Sequence, residues 1–400
     1  MKKKLAIIGS GPAALMLASN LDPDKFQVSI YEQNAAPARK FLVAGQGGFN
    51  LTHSEPADTF LTRYHPSSFL EQAFRSFNNE DLRVWLDAIG IPTYTGSSKR
   101  VFPQKGIKPI EVLQAFLNRI KQRGAVIYTH HCWKGWDTDE NLLFDTEGTL
   151  HTVSADLCVF ALGGGSWKIT GSDGQWAGLF QEKGISVLPF QPSNCAAGIE
   201  WPEGLPGAAE GKALKNIRVS MKGESRDGEL AITRFGMEGG AIYALIPGIR
   251  KSLQEKGSAE ITLDLKPQLS AEEILERLSV RTSNHSISHR LREQVRLTDI
   301  QLLLLKHYCS REEFVNPAFL TSAIKKLRMK VNALAPLDDA ISTVGGIALT
   351  EVDSMFQLHK MPGTFILGEM LDWDAPTGGY LLQACFSMGH FLASHLNSTH

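Results

Sequence analysis

Leu5-Ala6-Ile7-Ile8-Gly9-Ser10-Gly11-Pro12-Ala13-Ala14 decides the architecture of the chain. Its four leading apolar residues form the kind of short run found in a strand buried on both faces of a parallel sheet. After the glycine turn, Ala14, Leu15, Leu17, Ala18 and Leu21 recur at helical spacing. Gln27-Val28-Ser29-Ile30-Tyr31 is a second strand, and it ends at Glu32 with Gln33 beside it. Strand, glycine turn, helix, strand and acid together make the G-x-G-x-x-G/A dinucleotide pattern in its proper context. Gly9 turns the chain, Gly11 lets a pyrophosphate approach the backbone, and Ala14 is small enough for helix to pack on strand. Pro12 and Ala13 open the helix, whose free N–H groups favour phosphate oxygens. Glu32 is placed to accept from ribose hydroxyls, and its charge disfavours a 2′-phosphate.

The chain has 400 residues, 43% hydrophobic and 21% charged, with 41 basic and 42 acidic side chains. That length suits about two or three domains, and the apolar content argues against disorder. A net charge of −1 gives no global attraction to nucleic acid or anionic lipid. The five cysteines are scattered without a C-x-x-C pair, which argues against a disulfide scaffold and a zinc module and suits a reduced, cytoplasmic protein. No apolar run reaches membrane-spanning length. Lys2-Lys3-Lys4 and the apolar residues after it imitate a secretory signal, but the glycine turn interrupts the run.

The first motif alone does not separate FAD from NAD, and the C-terminal region does. Thr364-Phe365-Ile366-Leu367 is a buried strand, followed by Gly368-Glu369 and the turn-rich Asp372-Trp373-Asp374-Ala375-Pro376-Thr377-Gly378-Gly379. A helix then opens at Tyr380-Leu381-Leu382-Gln383. A second glycine-rich strand–helix junction so far down the chain suits FAD, whose ribitol and ring need a distant segment to hold them. Glu369 suits a ribitol hydroxyl or, through water, the pyrophosphate, and the helix N-terminus suits the charge that a reduced flavin develops near N1 and the C2 carbonyl.

On these residues the sequence resembles the BaiN/YhiN-type NAD(P)/FAD-dependent oxidoreductases, also known as the aminoacetone oxidase family of FAD-binding enzymes, in a divergent branch. The landmarks are Gly9–Ala14, Lys40–Thr52, Arg100-Val101-Phe102-Pro103, Ala161–Gly165, Val344-Gly345-Gly346-Ile347 and Gly368–Gln383. The resemblance implies an α/β fold with a Rossmann-like FAD-binding domain of the glutathione-reductase type. It places that domain in 1–190 and 336–400, interrupted by an insert over 191–335. It also implies that Lys40, Gly47, Gly48, Asn50 and Leu51 border the cofactor, as do Leu162, Gly163, Asp372, Gly378 and Gly379, and that the backbone at Cys132 or Trp133 meets adenine. Two departures bear on substrate. Gly45-Gln46-Gly47-Gly48-Phe49-Asn50 lacks the arginine and cysteine of the family's Gly-Gly-Gly-Arg-Cys-Asn segment. Arg234 and Glu238-Gly239-Gly240 stand where the family has a histidine and Ser-Gly-Pro.

Within the insert, 191–265 alternates in short glycine-rich segments and is β-rich, whereas the capping box at Ser270–Glu273 opens a helical stretch to about Leu327. Residues 277–330 carry eleven lysines and arginines against four acids, a local +7 that leaves −8 elsewhere. A solvated helical face is the favoured account of that charge, and an anionic partner such as nucleic acid is the weaker one. The adjacent His130-His131 would point to opposite faces of a strand, so they make no metal pair. No catalytic acid or base stands out, although His53, Arg100 and Arg234 are candidates for facing substrate. The expectation is an FAD-dependent oxidoreductase of a small molecule, with NAD(P)H docking transiently as reductant since no second nucleotide domain is visible. The alternatives are a flavoprotein acting on RNA through the basic insert and a non-catalytic flavin redox sensor.

Overall fold

The computed structural model describes residues 1–43, 48–279 and 286–400. They divide into two units, Met1–Gln191 with Ile341–His400, and Pro192–Ala340.

The first unit is built on a five-stranded parallel sheet. Its order is Thr364–Ile366, Leu157–Phe160, Lys3–Ile8, Phe26–Tyr31, Val126–Tyr128. Leu5 pairs with Leu157 on one side and Val28 on the other, so Leu5–Ile8 are buried on both faces, as their unbroken apolar run requires. The helix Pro12–Asn20 is buried from Ala13 to Ser19 because the 20-residue helix Tyr380–Thr399 covers its other side. Gly389 is what lets the two helices approach, its Cα facing the Ala13 carbonyl.

This unit also holds two three-stranded antiparallel sheets. One joins Thr52–His53, Arg100–Pro103 and Thr93–Thr95, and the other is the meander Cys132–Trp136, Leu142–Thr146, Thr149–Val153. The helix Asn79–Ala88 starts at an Asn78 capping box closed by Asp81.

The second unit contains a closed six-stranded barrel, ordered Ala197–Ile199, Gly236–Glu238, Glu224–Ile232, Ala213–Met221, Ala259–Asp264, Leu327–Leu334. Here the structure departs from the sequence reading, which gives no element between Leu327 and Pro336. The strand Leu327–Leu334 closes the barrel, and its alternation of buried Leu327, Met329 and Val331 with exposed Arg328 and Lys330 is the period-two pattern of a half-buried strand. Helices from Ala271–Ser279 to Pro317–Lys325 intervene, the first capped by Ser270 and Glu273. Among the described residues no helix is long and apolar enough to cross a membrane.

Candidate functional site

A cleft of about 350 Å³ opens in the first unit at the carboxyl ends of the central strands, beside Ile8, Tyr31 and Ala161. Chain order reverses on either side of Lys3–Ile8, which makes this the switch point where open parallel sheets take ligands. Gly9, Gly11, Pro12, Ala13, Glu32, Gln33, Lys40, Trp133, Leu162, Gly163, Gly368 and Glu369 line the cleft. Ala14 is fully buried behind it. Gly48, Asn50, Leu51, Asp372, Gly378, Gly379, Tyr380 and Leu381 are not part of the lining. Gly47 lies outside the described residues.

Gly9 holds φ at +95°, and a Cβ there would sit 2.4 Å from the Ala161 carbonyl oxygen. Gly11 is extended and has only that oxygen within 4 Å of a built Cβ, at 3.9 Å, so its missing side chain leaves the cleft open. Glu32 is 8% exposed and already ordered. One carboxylate oxygen accepts from the Ser10 hydroxyl, and the other accepts from Asn34 N at 2.8 Å and Asn34 Nδ2 at 2.7 Å. Three donors leave about one of a carboxylate's four acceptor positions for a ligand hydroxyl.

A segment absent from the sequence reading forms another wall: Thr170, Gly171, Ser172 and Asp173 also line the cleft. Gln33 Nε2 donates to the Gly171 carbonyl at 2.7 Å, and Ser172 Oγ donates to Gly164 O at 2.9 Å. The run Thr170-Gly171-Ser172-Asp173-Gly174 carried a signal, two glycines at positive φ around small polar residues. Trp133 packs edge-on to Trp136 and Phe160, with centroids 4.8 and 4.7 Å away, so its ring belongs mostly to the core. Lys40 is paired rather than merely solvated: its Nζ lies 3.1 Å from Glu369 and 3.0 Å from Ser166 Oγ. Arg234, by contrast, is highly exposed and bonded to Glu210 at 3.1 Å in the second unit.

The remaining sequence candidates gather at the N-terminus of Tyr380–Thr399. Gly379, at φ +102°, lies against the Thr52 backbone, where a Cβ would meet Thr52 C at 2.4 Å. With its amide oriented to satisfy both ends, Asn50 accepts from Gly379 N at 2.6 Å and donates to Gly48 O at 3.2 Å. Tyr380 donates its hydroxyl to Glu55 at 2.7 Å, and Arg63 clamps both Glu55 oxygens at 3.0 Å. The His53 ring stacks on Tyr380 with centroids 5.2 Å apart. Asp372 stands apart, accepting from Gly345 N at 2.8 Å.

Burial raises the Glu55 carboxyl, but hydrogen bonds from Arg63 and Tyr380 outweigh it and hold the group below its ordinary value. A depressed carboxyl stabilises the fold above its unfolded-state value and loses that contribution as pH falls through the folded one. Glu55→Gln is therefore expected to lower stability at pH 7 by about 1–3 kcal/mol, less than a fully buried pair because Arg63 reaches solvent. The gap between variant and wild type should close at acid pH. Urea unfolding of both proteins across this range is the check, and a gap that persists unchanged into acid would contradict it.

The cleft combines a glycine turn, a free helix N-terminus and an ordered acid, the donor set that an extended dinucleotide requires. Comparison with known proteins agrees. The family model described as HI0933-like protein Rossmann domain matches residues 3–395. The 3-dehydro-bile acid delta(4,6)-reductase of Clostridium scindens is 24% identical, over 97% of this chain and 97% of its own length. The ribosomal RNA dihydrouridine synthase of Escherichia coli is 22% identical, over 98% and 97%. In fold, 3-ketosteroid delta1-dehydrogenase from Sterolibacterium denitrificans is similar at a TM-score of 0.50 and 12% identity, covering 100% of both chains. The chain belongs to the HI0933-like family of FAD-dependent oxidoreductases.

Proposed function

We propose that this enzyme reduces a carbon–carbon double bond conjugated to a carbonyl, with FAD held in the cleft and a reduced nicotinamide as hydride source. The observation that carries the reading is the cleft at the switch point, where Gly9, Gly11 and the N-terminus of Pro12–Asn20 meet the ordered Glu32. In this reading the glycine turn and helix N-terminus take the pyrophosphate and Glu32 takes the ribose. Glu369 and Lys40, a pre-formed pair, take the ribitol side. Bound flavin supplies hydride transfer through N5. The protein supplies orientation, exclusion of water and donors to oxygens that gain charge.

The substrate class rests on the relatives. A 3-dehydro-bile acid carrying delta(4,6) double bonds and the uracil ring of uridine both have an alkene conjugated to a carbonyl. On such a substrate a hydride would add to the β carbon and a proton to the α carbon. Anaerobic visible spectroscopy tests the reading. The purified protein is expected to show flavin bands that bleach with NADH or NADPH and return on adding a steroid 4-en-3-one. Bands that persist with both nicotinamides would reject the reductase, and a protein that takes up no flavin would reject the cofactor.

A uridine in RNA is the second substrate reading, favoured by the +7 of residues 277–330. Against it, Arg292 pairs with Asp299 at 2.8 Å, Lys325 with Asp264 at 2.6 Å and Arg328 with Glu260 at 3.9 Å, while Arg281 lies outside the described residues. RNA retention that falls steeply with salt would favour it.

A further inference from the structure

We propose that Arg100 is the residue that stabilises reduced flavin, its guanidinium facing the pyrimidine edge where the negative charge of reduction collects. The assignment rests on the FAD reading above and adds to it the residue that would tune the bound cofactor. Arg100 begins the strand Arg100–Pro103 and pairs across the ladder with His53, whose neighbour Thr52 abuts Gly379. A Cβ built on Gly378 would lie 3.5 Å from Arg100 Nε, so the guanidinium stands directly beside the glycine loop that precedes the terminal helix.

Arg100 is half-buried, yet among the described residues it has no carboxylate partner and no side-chain hydrogen bond. Glu55, two residues beyond the ladder partner His53, is already clamped by Arg63 through both oxygens. A guanidinium held partly out of water with no counter-ion is costly unless an anion or a strongly polar group completes it. Its planar array of donors suits a flat edge of carbonyl oxygen and ring nitrogen better than a point charge would.

Direction along the cleft supports the assignment. The lining takes in Tyr31, Glu32, Gly9–Ala13, Lys40, Glu369 and Cys385, and Gly368 brings Ala13 and Cys385 together, a Cβ built on it lying 3.6 Å from each. Cys385 lies in the second turn of the helix that starts at Tyr380, so an extended cofactor with its ribose at Glu32 leads toward that helix start, beside Gly378 and Arg100. A bound flavin would supply the hydride chemistry, taking two electrons and one proton from a reduced nicotinamide that leaves oxidised, and Arg100 would offset the single negative charge that this places on the pyrimidine edge.

The test uses FAD-loaded Arg100→Met, with two readouts other than turnover. Sulfite adds to flavin N5 and leaves a negatively charged adduct, so its dissociation constant is expected to rise at least tenfold in the variant. The two-electron reduction potential is expected to fall by about 30 mV for each tenfold loss of stabilisation. Arg100→Lys, which keeps the charge, should remain closer to wild type on both measures. Where Arg100→Met does not retain FAD, Arg100→Gln is read by the same two measurements and thresholds. Retained FAD with both readouts within twofold of wild type overturns the assignment and leaves the FAD reading standing. A wild type that binds no FAD overturns the FAD reading itself.

Discussion

Gly9→Ala is expected to empty the cleft of FAD and to lower the melting temperature of the first unit by roughly 10 °C. Two costs add at this residue. The backbone holds φ at +95°, which costs an L-residue about 1–3 kcal/mol. The new methyl would then sit 2.4 Å from the carbonyl oxygen of Ala161 and 2.8 Å from its carbonyl carbon. Neither atom belongs to a flexible side chain: Ala161 donates its N–H to Ile8 O at 2.8 Å, continuing the pairing of two central strands. Relief must therefore come from opening the sheet where the ligand binds, about another 1–3 kcal/mol. A total of roughly 2–6 kcal/mol is a large share of the 5–15 kcal/mol that holds a domain together. Gly90→Ala separates the two costs, since Gly90 has φ +84° with nothing within 4 Å of a built Cβ. It should cost only the backbone strain and leave FAD bound. Flavin stoichiometry and thermal unfolding of both variants decide the matter. A Gly9→Ala protein with full FAD and an unchanged transition would show that the strand pair yields at Ala161 without loss.

The parts of this structure that can be read from sequence are those whose cause is local. The strand at Leu5–Ile8, the turn at Gly9 and the helix after it declare themselves within about twenty residues, because each element depends on its own periodicity and the turn on glycine's freedom. The Asn78 cap and the Ser270–Glu273 box are local in the same sense. Glu55 shows the opposite case. Its value to the site lies in Tyr380, more than three hundred residues away, and nothing near it marks it as other than one more surface acid. Lys40 and Glu369 are each marked for the cofactor in the sequence, but their pairing at 3.1 Å appears only when the fold joins segments more than three hundred residues apart. The strand Leu327–Leu334 did carry a period-two pattern, but Arg328 and Lys330 on its exposed edge read as a continuation of the basic helical stretch before it. Closing a barrel is a property of the partner strands, and the segment alone does not contain it. The terminal glycines fall between these cases: a turn is legible at Gly378-Gly379, while the contact of Gly379 with Thr52 is not.

The helix pair at the centre of the first unit makes a second large effect computable in sign. Gly389 lies inside Tyr380–Thr399, where alanine is intrinsically better than glycine by about 1 kcal/mol. Propensity alone thus predicts that Gly389→Ala stabilises the protein. Packing predicts the reverse, because a Cβ there would lie 2.4 Å from Ala13 O, 3.0 Å from Leu17 N and 3.1 Å from Met16 Cβ. Two of these are backbone atoms of the buried helix Pro12–Asn20, which is wedged against the central sheet and has no room to withdraw. Separating the helices would uncover Ala13, Leu17 and Phe386, all buried, and would shift the N-terminal turn that faces the cleft. Overpacking of this kind costs about 1–3 kcal/mol, and lost burial across a whole helix seam adds to it. Packing is therefore expected to win by about 2 kcal/mol or more, with weaker FAD retention as a secondary sign. Gly178→Ala is the matched opposite. Gly178 lies in the helix Trp176–Glu182 with nothing within 4 Å of a built Cβ, so the same substitution should stabilise by about 0.5–1 kcal/mol. Chemical unfolding of the two variants beside wild type reads both signs at once. Stabilisation by both would show that the helices part freely at Gly389, and the close approach would then be a consequence of the glycine rather than a requirement of the fold.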